Sequence, residues 1–157
     1  MFTIKNILVT TDFSGYSATA LDYAFPLANA AHAKVHLLHV VEGRRRHSVP
    51  IGYEDADWNA LQKFIAENTD EFTVVEPALA YGSPAAEIIR YAAEHKIDLI
   101  VIATHGRTGL SHVVVGSIAE RIVRVSPVPV LTVKPRAFLE ELLTQADIET
   151  DLRTTSP

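Results

Sequence analysis

Short apolar segments rich in β-branched residues alternate along the chain with segments of helical periodicity. The apolar segments are short, and apolar and polar residues do not alternate regularly along them; they are Ile7–Thr10, Val35–Val41, Phe72–Ala80, Leu99–Ala103 and Val128–Val133. Continuous apolar strands are typical of parallel sheets that are covered on both faces. The pattern therefore predicts five buried strands.

Between the strands, apolar residues follow the spacing i, i+3, i+4, i+7 of an amphipathic helix. This spacing occurs at Leu21, Ala24, Phe25 and Ala28 and again at Ala85, Ile88, Ile89 and Ala92. Ser83 followed by Pro84 predicts a helix start near residue 84, and the S-x-x-E pattern from Ser117 to Glu120 predicts a capping box and a start near 118. A weaker helix is predicted over Trp58–Asn68, after a polar loop. Alternating strands and helices predict a doubly wound α/β domain with a five-stranded parallel sheet and helices on both faces.

Composition narrows the class of protein. The 157 residues, 48% of them hydrophobic, suit one globular domain, predicted over residues 1–136, with a short amphipathic turn and a disordered tail over 137–157. The absence of cysteine excludes disulfides and thiolate metal sites. No apolar run approaches the ~20 residues of a membrane span, and no signal peptide begins the chain. With a net charge of -5, we expect a cytoplasmic protein that binds neither nucleic acid nor membrane.

Polar and glycine-rich loops follow two of the predicted strands. Thr10–Gly15 comes after the first strand, and Thr104–Gly109 comes after the fourth and leads to Gly116 and Ser117. Ligands of open parallel sheets bind beyond the carboxyl ends of the strands. Glycines next to a helix N-terminus can expose N–H groups to a phosphate, and a carboxylate at Asp12 can accept hydrogen bonds from ribose hydroxyls. The alternatives are that the glycines only form turns, that Ser117 is only an N-cap, and that Asp12 caps the first helix.

The chain resembles the universal stress protein family over residues 3–135. The resemblance is carried by the segments Thr11–Ser14, Leu38–Val40, Tyr81–Pro84, Thr104–Leu110, Gly116–Glu120 and Pro127–Val130. The nucleotide-binding members share a motif G-x2-G-x9-G-[S/T]; here its second glycine is Gly106 and its end is Gly116-Ser117, whereas Ala103 replaces its first glycine. The added methyl of Ala103 would lie where the backbone passes the triphosphate.

The resemblance implies a Rossmann-like fold of the adenine nucleotide alpha hydrolase type, ATP as ligand, and leaves open an accompanying Mg²⁺. It also implies the nucleotide-binding residues: Thr11 and Asp12 at the adenosine, Val40 at adenine, and Ala103, His105, Gly106, Gly116 and Ser117 along the phosphates. His105 is interpreted as a hydrogen-bond donor, because no second residue is arranged as its partner in proton transfer. No catalytic residue and no metal site are assigned. Arg44, Arg45 and Arg46 are read as solvated surface.

The function expected from this resemblance is that of an ATP-binding regulatory switch in the stress response, with at most slow hydrolysis. Ordering of the segment 107–115 around the triphosphate would change the surface offered to a protein partner, whose identity the sequence does not show. The alternative is a dimeric scaffold member of the family that binds no nucleotide, which Ala103 favours. An enzyme is disfavoured, because the sequence lacks H-x-G-H, S-G-G-x-D-S and P-loop motifs.

The last strand predicts how copies of the chain associate. Val128, Val130, Leu131 and Val133 make both faces of this strand apolar. In the family the strand lies at an edge of the sheet, and an exposed apolar edge is a liability unless it is paired. We therefore expect a homodimer through Val128–Val133.

Overall fold

The computed structural model describes residues 1–43, 53–70, 73–104 and 116–134. The strands are β1 (Asn6–Thr11), β2 (Lys34–Val41), β3 (Val75–Tyr81), β4 (Leu99–Ala103) and β5 (Val130–Val133). The helices are α1 (Gly15–Ala31), α2 (Tyr53–Asn68), α3 (Pro84–Glu94) and α4 (Ser117–Val125). The strands form one sheet in the order β3-β2-β1-β4-β5, and every pairing is parallel. The predicted five-stranded α/β fold is confirmed.

The core consists of two apolar layers, one on each face of the sheet. On one face, Ile7, Val9, Leu37 and Val101 pack with α1 and α2, and on the other, Leu8, Leu38 and Ile100 pack with α3 and α4. Residues 7–9 of β1 and residues 100–101 of β4 therefore alternate between the two layers, and all five are fully buried. This burial explains why the strands read as continuous apolar runs.

Helix α2 begins at Tyr53, earlier than the predicted Trp58, so part of the segment predicted to be a loop is helical. The strands that it covers explain its length. An eight-residue strand such as β2 spans about 26 Å, and a sixteen-residue helix spans about 24 Å. The helix is therefore about as long as this strand, and its Leu61 and Phe64 are buried in the same core layer as Leu37.

Helix α4 starts close to the predicted position, but its cap differs from the prediction. Its N-cap is Gly116, Ser117 is its first residue, and no side chain caps it. Glu120 contacts Arg124 one turn later, with 2.7 Å between Nη2 and Oε1, and does not form the reciprocal bond of a capping box. The predicted capping box is therefore wrong.

Other predicted features are confirmed or fall elsewhere. α3 starts at Pro84 after Ser83, as predicted. β5 lies at an edge of the sheet, as expected. The arginines of 44–46, the loop 105–115 that contains His105 and Gly106, and the predicted turn and tail over 137–157 lie outside the described residues.

Candidate functional site

The sheet order brings the first and fourth strands together at one edge. β1 lies between β2 and β4, and the chain turns to opposite sides of β1 on its way to these two strands. The register pairs Val9 with Val101, so Thr11 is level with Ala103, and Thr11 pairs directly with His39 of β2. This carboxyl edge between β1 and β4 is the topological switch point at which open α/β sheets bind ligands.

Thr11 ends β1 with a hydroxyl that is used inside the protein. The residue is buried, and its Oγ1 lies 2.8 Å from Oγ of Ser17 and accepts a hydrogen bond from the N–H of Phe13 at 2.9 Å. The Ser17 hydroxyl also lies 2.9 Å from the carbonyl oxygen of Ser14. The side chain of Thr11 therefore holds the turn between β1 and α1, which places the next residue at the edge.

Asp12 lies half-buried at this edge, and its carboxylate is oriented by Ser14. Oδ1 of Asp12 accepts hydrogen bonds from the backbone N–H of Ser14 at 3.0 Å and from its hydroxyl at 2.5 Å. Ser14 is itself the N-cap of α1, where its Oγ accepts from the N–H of Ser17 at 3.1 Å. The N-cap of α1 is therefore Ser14 and not Asp12. Ser14 also holds the carboxylate of Asp12 in place at the end of β1.

Phe13 adopts an unusual backbone conformation between these two residues. Its φ of 65° lies in the left-handed region, which costs a non-glycine residue free energy. The ring stacks on His39 with centroids 4.0 Å apart and contacts Phe64 of α2 at 5.8 Å. His39 also places Nδ1 2.8 Å from the carbonyl oxygen of Thr11, so Nδ1 carries the proton that it donates. These aromatic contacts hold the strained turn in one conformation.

Thr104 and Gly116 close the other side of the edge. Thr104 is buried and donates its N–H to the carbonyl of Val133 at 3.0 Å, and its own carbonyl accepts from the N–H of Gly116 at 2.5 Å. A Cβ at position 116 would lie 2.8 Å from that carbonyl oxygen. Only glycine fits there without a shift of backbone. The residue after β4 and the residue before α4 are therefore in direct contact.

The amino end of α4 can bind an anion. The first N–H groups of a helix have no partner within it, and the helix dipole places about half a positive charge at this end. Ser117 is exposed, and Glu120, the acidic residue of the first turn, contacts Arg124 instead of the helix end. The end of α4 is thus uncapped by side chains among the described residues, and it lies beside the last residues of β4.

The structure brings six of the eight predicted site residues to this edge. Thr11 ends β1 and Asp12 follows it, Val40 is the last but one residue of β2, Ala103 ends β4, and Gly116 and Ser117 lie at the start of α4. Val40 is half-buried and packs against the layer beneath α3 and α4. His105 and Gly106 lie outside the described residues. Their roles and those of the other six remain predictions.

Sequence reasoning missed the residues that support the site. Phe13, Ser14, Ser17, His39 and Thr104 hold its geometry, and none of them was predicted to have a specific contact. The signal at Ser14 was available, because a serine three residues before another polar residue at a helix start is a common N-cap. The His39–Phe13 contact had no such signal, since it joins two separate segments.

Metal and membrane features were also searched in the part of the chain that the structure describes. It contains no group of three or more His, Cys, Asp or Glu side chains that could hold a metal ion. It also contains no helix with the length and apolar character of a bilayer span.

Comparisons with known proteins agree on one family. The family described as "Universal stress protein family" matches residues 3–134. The chain is similar to universal stress protein YxiE of Bacillus subtilis, with 34% identity over 148 residues that cover 83% of this chain and 99% of that protein. It is 31% identical over 142 residues to universal stress protein MJ0531 of Methanocaldococcus jannaschii, covering 83% of this chain and 82% of that protein.

Solved structures show the same fold. The structure of the hypothetical protein MJ0577 has a TM-score of 0.69 and 30% identity, and the match covers 85% of this chain and 97% of that one. A universal stress protein in complex with cAMP has a TM-score of 0.66 at 22% identity, covering 84% of this chain and 98% of that one. The second likeness concerns the fold alone.

Proposed function

Because this chain belongs to the universal stress protein family, we propose that it binds an adenine nucleotide, ATP above all, at the carboxyl edge between β1 and β4. The observation that carries the proposal is the approach of Gly116 to Thr104, which leaves the amino end of α4 beside the end of β4, with no side chain of the described residues capping the helix. A site of this kind suits a phosphate. Related proteins of this fold have been solved with cAMP and with dAMP, so the fold accepts adenine nucleotides.

Each end of the nucleotide would meet a different part of the edge. Gly116 and Ser117 would offer backbone N–H groups to the phosphates together with the dipole of α4. Asp12, oriented by Ser14, would accept hydrogen bonds from the ribose hydroxyls, since charge-assisted bonds to a carboxylate are strong. Val40, half-buried at the end of β2, would contact adenine. Ala103 would lie where the motif has glycine.

The protein would act as a switch with at most slow hydrolysis. If ATP binds one conformation of the protein more tightly than another, its binding increases the population of that conformation. The surface offered to a protein partner then depends on whether ATP is bound. An accompanying Mg²⁺ would be held mainly through the phosphate oxygens, since Mg²⁺ keeps several of its waters and binds through substrate phosphates. We place this activity in the cytoplasm and in the stress response.

The first experiment is the nucleotide content of the purified protein, measured by acid extraction and chromatography, followed by ATP titration. We expect bound nucleotide or saturable binding in the wild type, and binding weakened about tenfold or more in Asp12→Ala. Asp22→Ala is the matched control, because Asp22 is an exposed carboxylate on α1. The absence of bound nucleotide and of saturable binding, or equal affinity of the two variants, would count against the proposal.

A second function is favoured by β5: a dimeric interaction module without nucleotide. β5 pairs with β4 on one side only, and Val130 and Leu131 are half-buried on opposite faces of the sheet. The carbonyls of Pro129 and Val133 accept from β4, so by alternation the N–H and C=O of Thr132 point away from β4. A second copy of the chain could pair along that edge. The homodimer itself is compatible with both functions.

Sedimentation velocity at micromolar concentration tests the dimer. Thr132→Pro removes the outward N–H while keeping the bonds to β4, and Thr132→Val keeps both. We expect the wild type and Thr132→Val to sediment as dimers and Thr132→Pro as a monomer. A monomeric wild type would exclude the dimer. A dimer without any nucleotide binding would support the scaffold function, with Ala103 as its structural cause.

A further inference from the structure

A groove runs along the outer edge of β3, at the end of the sheet opposite β5. We call it the edge groove, and its volume is about 570 Å³. Its floor is the strand Pro77–Tyr81; one wall is Trp58 of α2, and the other is formed by Arg90, Tyr91, Glu94 and His95 of α3. The strand β2 separates it from β1 and Asp12. It is therefore a different place from the nucleotide site proposed above.

The backbone of β3 presents hydrogen-bonding groups to this groove. The N–H of Gly82 donates to the carbonyl of Val41 at 3.1 Å, which shows that the even-numbered residues of β3 face β2. By alternation, the backbone groups of Pro77 and Leu79 face outward. Proline fits at 77 because its missing N–H costs no bond to β2. Within the described segments, no loop or side chain bonds the outward N–H and C=O of Leu79.

The walls of the groove are aromatic, and the face of α3 that forms one wall carries one net negative charge. Trp58 is 40% exposed, and the rings of Tyr91 and His95 stack 3.8 Å apart. Arg90 forms ion pairs with both Glu87 and Glu94, so this face of α3 holds two carboxylates for one guanidinium.

These features select one kind of occupant. Outward N–H and C=O groups along an edge strand pair with an extended chain, which gives main-chain hydrogen bonds without regard to sequence. The extra carboxylate on α3 favours a basic side chain, and the exposed indole face of Trp58 attracts a cation. An apolar ligand would use neither the backbone groups nor the charge. The groove therefore matches an extended peptide that carries lysine or arginine.

We propose that the edge groove binds an extended, basic segment of a partner protein, which adds to the sheet as a strand beside β3. The protein that carries this segment would be the partner of the nucleotide-dependent switch, and in that respect this proposal rests on the proposed function. The binding itself is tested without nucleotide, so that failure of this proposal and failure of ATP binding are distinguishable.

The experiment uses the full chain labelled with ¹⁵N and a blocked probe peptide, acetyl-Lys-Thr-Val-Lys-Val-Thr-Lys-amide. We expect saturable shifts at the amide of Leu79 and the indole of Trp58, and hydrogen exchange of the Leu79 amide slowed about tenfold at saturation. Leu79→Pro should abolish binding, because it removes the outward N–H and no bond to β2. Leu79→Val, which keeps that N–H, should bind like the wild type.

Charge is tested separately. Glu94→Lys should weaken binding of the probe about tenfold, whereas Asp22→Lys, the same charge change at an exposed position on α1, should not. A peptide with glutamate in place of lysine should not bind.

Three results would overturn the proposal: equal binding of the acidic peptide, unchanged exchange of the Leu79 amide at saturation, or shifts confined to Trp58, which would indicate a small-molecule cavity. If Leu79→Pro does not fold, the exchange of the wild-type amide and the Glu94→Lys titration decide the matter.

Discussion

His39 supports the turn after β1 through two separate contacts with Thr11 and Phe13. Its Nδ1–H donates to the carbonyl of Thr11 at 2.8 Å, and its ring lies on that of Phe13 at 4.0 Å with an interplanar angle of 28°. Because Asp12 lies between these two residues, the position of its carboxylate depends on both contacts. A residue of β2 therefore determines the geometry at the end of β1.

The strain at Phe13 leads to a first prediction. Phe13→Ala should lower the free energy of unfolding by about 2 kcal/mol, because the stack on His39 and the contact with Phe64 are lost while the left-handed φ remains. Phe13→Gly should be about 1 kcal/mol more stable than Phe13→Ala, since glycine adopts φ 65° without strain. Chemical denaturation measures both. A glycine variant less stable than the alanine variant would show that the strain is absent.

The close approach of Gly116 to Thr104 leads to a second prediction. Gly116→Ala places a Cβ 2.8 Å from a backbone oxygen that cannot rotate away, so the free energy of unfolding should fall by about 1–3 kcal/mol and ATP affinity should fall with it. The φ of -53° at 116 is open to alanine, so the effect is steric.

Gly15→Ala is the matched control for that substitution. A Cβ at Gly15 meets nothing within 4 Å at the start of α1, so its stability should stay the same or rise by up to about 1 kcal/mol. Equal stability losses in the two variants, measured by denaturant titration, would contradict the steric explanation.

A buried histidine makes stability depend on pH. His36 of β2 is 4% exposed, its Nδ1 lies 3.0 Å from the hydroxyl of Tyr91, and its Nε2 has no hydrogen-bond partner among the described residues. Burial lowers the pKa of His36 below 6.5, with Glu76 opposing this shift and His95 and Lys34 adding to it. Burial also raises the pKa of Tyr91 to about 12, so the phenol stays protonated near neutral pH.

The sign follows from proton linkage. Between the lowered pKa of native His36 and 6.5, the unfolded chain binds more protons than the native one, so stability rises with pH. The contribution of neutral His36 to stability is fully present above pH 6.5 and is lost as the pH falls through the native pKa of His36. His36→Leu should flatten this dependence, whereas His32→Asn, at the exposed C-cap of α1, should keep it. Denaturation midpoints between about pH 5 and pH 7.5 measure the slope, and an unchanged slope in His36→Leu would assign it to another group.

Several elements could be predicted from the sequence because their signals are local. β4 was predicted with its observed bounds, since a short, wholly apolar run between polar residues is complete in itself. The start of α3 followed from Ser83 and Pro84, because proline needs no N–H in a first helical turn. The start of α2 was predicted less well, because this helix is stabilised by packing against residues that are distant in sequence.

The cap of α4 shows where local signals become ambiguous. The pattern from Ser117 to Glu120 is equally compatible with a capping box and with a helix that starts one residue earlier. The carbonyl of Thr104 decides between them, because it bonds the N–H of Gly116 and leaves no room for a side chain there. Sequence alone contains no information on that distance.

The sequence by itself determined that this chain forms a parallel, doubly wound sheet and that its polar loops follow the first and fourth strands. Those features depend on periodicity and residue type within short segments. The tertiary structure alone decided that β1 lies next to β4, that His39 reaches Thr11, and that a groove follows β3 beside Trp58. Strand order and side-chain contacts of this kind depend on how distant segments pack together, because burial rewards the arrangement of the whole chain and not any one segment.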